Sequence, residues 1–148
     1  MSVPSATRHL LVLATLIATP CTALADPIDD QIRTAYSAWN AAFNKSDPKA
    51  VAAFYTSDAS FLPATHDVIQ GPDGVQKFFS SLFANGVTDH TLDLIRSTGD
   101  DKIVIAAAKW SAAGRDASGK PTRFGGIATH VFERQPDGSL KLKLHTFN

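Results

Sequence analysis

Residues 28–63, IDDQIRTAYSAWNAAFNKSDPKAVAAFYTSDASFLP, decide how this chain is read. Ile32, Tyr36, Trp39 and Phe43 recur at steps of four, three and four, which places them on one helical face. Asp26-Pro27 ahead of the stretch is a cap followed by a first-turn proline, and Asp29 and Asp30 then suit the positive end of the helix dipole. Asn44-Lys45-Ser46 ends this helix. Asp47-Pro48 repeats the start signal and predicts a short second helix through Tyr55. Asp58 to Leu62 is β-prone and stops at Pro63. An aromatic stripe on a helix that leads into strands predicts a helix lying over a sheet, with a hollow between the two.

Working outward, His66 to Gln70 reads as a second short strand. Gly71-Pro72-Asp73-Gly74 starts a third helix, with Val75, Phe78, Phe79, Leu82 and Phe83 as its apolar face and Asn85-Gly86 as its end. The period then falls to about two. Strands are expected at 91–97, 102–114, 123–134 and 140–147, the last two joined by Pro136-Asp137-Gly138. Gly125-Gly126 inside a strand suggests a bulge. Helices first and an antiparallel run afterwards give an α+β class.

The N-terminus has a different character. Arg8 and His9 precede the apolar run 10–18, and Ala23-Leu24-Ala25 is a small-x-small cleavage site. This is the pattern of a secretory signal peptide occupying 1–25, cut after Ala25. The apolar run is short of the ~20 residues that span a bilayer, so stable membrane insertion is not expected. Pro20 fits poorly with lipid attachment at Cys21. Residues 26–148 then form a single domain without cysteine, in a periplasmic or secreted setting. Without Arg8 that domain has 13 basic residues against 14 acidic, a net charge of −1, and no basic cluster. Nucleic-acid binding needs a concentrated positive surface and is excluded.

The stretches YSAWNAAFNKSDPKAVAAFYTSDASFLP, IQGPDGVQKFF and VFERQPDGSLKLKLHTFN together resemble the nuclear transport factor 2-like superfamily. Within it they are closest in character to the ketosteroid-isomerase-like and SnoaL-like small bacterial proteins. The resemblance implies a cone: a strongly curved mixed sheet, largely antiparallel, wrapped on three helices with an internal pocket. It also implies a homodimer through the outer sheet face. Leu140 departs from the pattern, which carries tryptophan after the hairpin glycine. The isomerase residues do not carry over. The base position falls in Ala59–Pro63, the oxyanion-binding tyrosine is replaced by Trp39, and the protonated aspartate falls near Ile127.

The remaining chemistry lies in His66, His90, His130 and His145. No short metal-ligand motif joins them, so neither a metal nor any other cofactor is expected. In the terminal hairpin, setting Glu133 opposite Lys141 and Phe132 opposite Leu142 places His130 opposite Leu144 on the core side and turns His145 away. A bulge there would re-aim His145. A pocket is expected from Tyr36, Trp39, Tyr55, Phe61, Phe79, Trp110 and His130, holding an apolar or aromatic small molecule. Two alternatives stand beside this binder. One is a dehydratase, isomerase or cyclase using His130, with His66 or His145, as acid/base. The other is a protein-interaction module acting through the outer sheet face.

Overall fold

The first helix is built as its stripe demands. A computed structural model describes residues 27–148; the expected signal peptide, its cleavage after Ala25, and Cys21 lie outside the described residues. Helix α1 spans Pro27–Asn44 and buries Ile32, Tyr36, Trp39, Ala42 and Phe43. Its first turn is tied to the sheet where the Ser97 hydroxyl donates to Asp29. It stops where Ser46 takes a left-handed φ of 52°. Asp47 then caps α2, Pro48–Ala52, by accepting from the Ala50 N–H at 2.9 Å.

The second helix is shorter than expected, and Tyr55 is not in it. The chain straightens after Ala53 because the Phe54 carbonyl accepts from the Leu142 N–H at 2.7 Å, which draws the segment onto the last strand. Strand β1 therefore runs Tyr55–Leu62, with Tyr55, Ala59 and Phe61 turned inward. Strand β2 is only Ile69–Gln70. The expected start at His66 fails because His66 sits at φ 66° in a turn closed by its N–H on the Pro63 carbonyl. Helix α3, Gly71–Ala84, buries Val75 and Phe79, half-buries Phe78, Leu82 and Phe83, and ends at Gly86 with φ 76°.

Strands β3 (Thr88–Gly99), β4 (Ile103–Arg115), β5 (Pro121–Arg134) and β6 (Leu140–Phe147) form an antiparallel meander. Strand β1 then adds parallel to β6, giving one mixed sheet of order β2-β1-β6-β5-β4-β3 that does not close. Register shifts between Leu94 and Arg96, between Val131 and Phe132, and between Tyr55 and Ser60 add the local twist that curls it. Gly125 and Gly126 make no such shift: both pair in step with β4. Each is closely approached by backbone: a side chain at Gly125 would meet the Trp110 carbonyl oxygen at 2.8 Å. A side chain at Gly126 would meet the Asn148 carbonyl oxygen at 2.2 Å.

The core lies between the helices and the concave face. Val104, Ala106 and Ala108 of β4 and Ala128, His130 and Phe132 of β5 point into it, buried under α1 and α3. Small residues on the strands face large rings on the helices. Phe61, fully buried, packs on Phe79 at 5.5 Å between ring centroids and on Phe78 at 5.0 Å. Burying aromatic rings of this size, at ~25 cal/mol per Å² of apolar surface, is the main favourable term available to a domain this small.

Candidate functional site

Three histidines converge on the inside of the sheet. His130 on β5 faces His145 on β6, with ring centroids 4.5 Å apart. This corrects the hairpin register expected from sequence. Near the turn the pairing is as expected, with Glu133 on Lys141 and Phe132 on Leu142. Beyond it the shift between Val131 and Phe132 moves Leu144 opposite Val131 and swings His145 inward. His90 enters from β3, with its ring 4.9 Å from Trp39 and 4.6 Å from Phe43.

Each imidazole has one nitrogen engaged. The Tyr36 hydroxyl lies 2.8 Å from His130 Nδ1 and the Tyr55 hydroxyl 2.7 Å from His145 Nδ1. His90 Nδ1 lies 2.8 Å from Asn40 Oδ1. Its backbone is held on both sides by Asn44, whose Oδ1 accepts at 2.8 Å and whose Nδ2 donates at 3.0 Å. Among the described residues no protein group bonds the second ring nitrogen of any of the three. Trp39 Nε1, fully buried, has no hydrogen-bond partner either. The Trp39 indole favours the Tyr55 phenolate, against the larger effect of burial.

Burial sets the charge state. It pushes His90 down to about 4 and His130 to about 3, and holds His145 well below the usual imidazole range; the neighbouring imidazoles add to the effect at His130 and His145. The same burial raises Tyr36 and Tyr55 above the usual phenol range. At neutral pH the cluster is therefore uncharged: neutral imidazoles held by intact phenols.

A cavity of about 100 Å³ lies between α1, α3 and strands β3 to β6. Its wall is Trp39, Phe43, Phe79, Trp110 and Phe147, the aliphatic Leu82, Val87, Leu92, Ala112 and Ala128, and only two imidazoles, His90 and His145. A separate hollow of about 10 Å³, room for roughly one water, sits beside Tyr36 and His130.

Of the residues expected to line the pocket, Trp39, Phe79 and Trp110 do. Tyr36 and His130 line the small hollow and not the cavity, while Tyr55 and Phe61 are packed behind the wall. Of the expected acid/base residues, His130 and His145 are brought together; His66 lies exposed in the loop after β1 and joins neither. His90 was overlooked as a pocket residue. The signal was present, since His90 precedes Leu92 and Leu94 on the same strand parity. Among the described residues no three His, Cys, Asp or Glu side chains converge as a metal site.

The imidazoles make stability depend on pH, and the sign follows from the direction of the shifts. Their folded values lie below the ordinary 6.5, so the unfolded chain takes up protons that the folded chain refuses. This part of the stability is fully present above about pH 6.5 and is lost as pH falls toward 4. Each such histidine contributes ~1.4 kcal/mol per pH unit inside the window. Urea unfolding at pH 7, 6, 5 and 4.5 is expected to show a loss of several kcal/mol across that range, before the lowered carboxylates of Asp58, Asp100, Asp116 and Asp137 begin to titrate. A flat profile would mean that the cluster accepts protons without opening.

Comparison with known proteins agrees with this architecture. The SnoaL-like domain family matches residues 36–141. No curated protein sequence matches the chain. Among solved structures, the protein Aln2 from a Streptomyces species superposes with a TM-score of 0.73 at 17% identity, covering 85% of this chain and 94% of that one. A ketosteroid isomerase-like protein from Erwinia carotovora atroseptica gives 0.70 at 20%, covering 80% and 92%. A nuclear transport factor 2-like superfamily protein from Salmonella enterica serovar Typhimurium gives 0.67 at 13%, covering 82% and 89%. At these identities the structures speak for the fold alone. The matched family covers most of the chain, which therefore belongs to the SnoaL-like domain family.

Proposed function

We propose that this protein binds a small uncharged ligand, apolar or aromatic, in the cavity between α1, α3 and the sheet. The observation that carries the reading is the wall itself: about 100 Å³ of space, lined by rings and aliphatic chains with only His90 and His145 as polar side chains. An apolar cavity of ~150 Å³ takes up benzene, so this smaller one limits the ligand to at most a single ring and excludes a steroid. A ligand of about seven heavy atoms would bind with a dissociation constant between roughly 1 µM and 1 mM.

Acid/base catalysis is the weaker reading. A general base works best with a pKa near the operating pH, whereas His90 at about 4 lies some three units below neutrality. The isomerase positions also favour a binder, because the base position Ala59–Pro63 carries no carboxylate, Trp39 stands in place of the oxyanion-binding tyrosine, and Ile127 faces away from the cavity. A pure interaction module is disfavoured by the unfilled interior.

Both tryptophans of the chain line the cavity. Titration with toluene should therefore change the intrinsic fluorescence saturably, and Ala128→Leu, which fills the space, should weaken binding at least ~10-fold. An unsaturable response in the unsubstituted protein would sink the proposal.

The outer face carries Ile105 and Ile127, 45% and 41% exposed, beside Val131 and Leu144. That apolar stretch fits a second copy of the chain. Light scattering behind gel filtration is expected to give twice the chain mass, and half that value for Ile105→Lys combined with Ile127→Lys. A monomer from the unsubstituted chain would remove the dimer.

Export completes the proposal, resting on residues 1–25, and no helix among the described residues is long and apolar enough to cross a membrane. Protein made with its own N-terminus in a Gram-negative host should have the intact mass of residues 26–148. A full-length mass would overturn export by this route.

A further inference from the structure

We propose that the cavity seats a neutral hydroxyl group, phenolic or alcoholic, between Nε2 of His90 and Nε2 of His145. His90 accepts its proton, and His145 donates to its oxygen. This deepens the cavity-binding reading and rests on it.

The argument is one of tautomers. The Tyr55 hydroxyl is buried and carries one proton to donate. Its acceptor is His145 Nδ1 at 2.7 Å, and no other acceptor for it exists among the described residues. His145 Nδ1 is therefore bare, and the ring proton sits on Nε2. Tyr36 fixes His130 in the same state through its 2.8 Å bond. His90 is held the opposite way. Its Nδ1 faces Asn40 Oδ1 at 2.8 Å, an oxygen that only accepts, so the proton sits on Nδ1 and Nε2 is bare.

Two imidazoles of opposite hydrogen-bonding sense thus line one cavity, each with its Nδ1 engaged in the wall. They flank the same indole: the Trp39 ring lies 4.9 Å from His90 and 6.1 Å from His145. Among the described residues neither Nε2 has a protein partner, which leaves both free to bond a ligand.

Ligand chemistry follows by elimination. A hydroxyl both donates and accepts, so it satisfies both nitrogens at once. A ketone accepts from His145 and leaves His90 bare. A hydrocarbon leaves both unsatisfied. A carboxylate cannot donate and would bury its charge among neutral groups, since no cation lines the cavity. The hollow beside His130 has room for about one water, so His130 plays no part in ligand contact.

Two measurements on the intact protein test this. First, ¹H–¹⁵N correlation of the imidazole rings at pH 7 should show His90 with its proton on Nδ1, and His130 and His145 with theirs on Nε2. The opposite tautomer at His90 or His145 overturns the proposal. Second, phenol should bind at least ~10-fold more tightly than toluene and shift the Nε2 resonances of His90 and His145, and His90→Met should erase that advantage, bringing the ratio of the two affinities to about one. Equal binding of phenol and toluene overturns the hydroxyl seat and leaves the apolar cavity standing. Binding of neither overturns both.

Discussion

Two imidazoles that face each other across β5 and β6, inside an apolar wall, cannot carry charge and cannot be left without partners. The tyrosine hydroxyls meet both demands. Tyr36 reaches His130 from α1, and Tyr55 reaches His145 from the start of β1. Each bond therefore joins a segment from the N-terminal half to a strand from the C-terminal half, and each lies in the interior. A buried hydrogen bond of this kind adds about 1 kcal/mol net, but a lost partner would strand a desolvated group at a cost of ~1–3 kcal/mol. The pairs thus fix the approach of helix and β1 to the sheet more strongly than their own net contribution suggests.

Space inside the fold follows from the residues set against those pairs. The inner positions of β4 and β5 are largely alanine: Ala106, Ala108, Ala112 and Ala128 are all buried. The helices bring Trp39, Phe43 and Phe79 against them. Rigid rings laid over small residues on a curled sheet do not interdigitate fully, and Ala112 and Ala128 border the unfilled volume. Behind the wall, Phe61 packs on Phe79 and Phe147, which border the volume, and edge-on against Phe78. The cavity is thus a consequence of residue size at a few alternating positions.

Much of this architecture is written locally. The cap Asp47-Pro48, the stripe of α1, the Asn85-Gly86 stop and the alternation after Gly86 depend on neighbours a few positions away, and the sequence shows them directly. The features that position the site depend on distant segments. Tyr55 reads as helical until Leu142 claims the carbonyl before it. His145 reads as outward until one extra residue shifts the hairpin between Val131 and Phe132. Phe61 and Tyr36 read as pocket-lining, yet packing places them behind the wall or on a smaller hollow. Periodicity reports which residues are inside; it does not report which of them leave a gap.

The parallel seam between β1 and β6 has a further effect. It brings Tyr55 against Leu142 and Phe61 against His145, so a strand from the first half of the domain has no long neighbour until the last strand arrives. Such long-range pairing slows closure, because the intervening loop must be ordered before the contact rewards it. A chain emerging from a ribosome would hold its helices and strands β3 to β5 early, yet could not seal the sheet until β6 was free. The order of synthesis thus keeps the hollow open until the end.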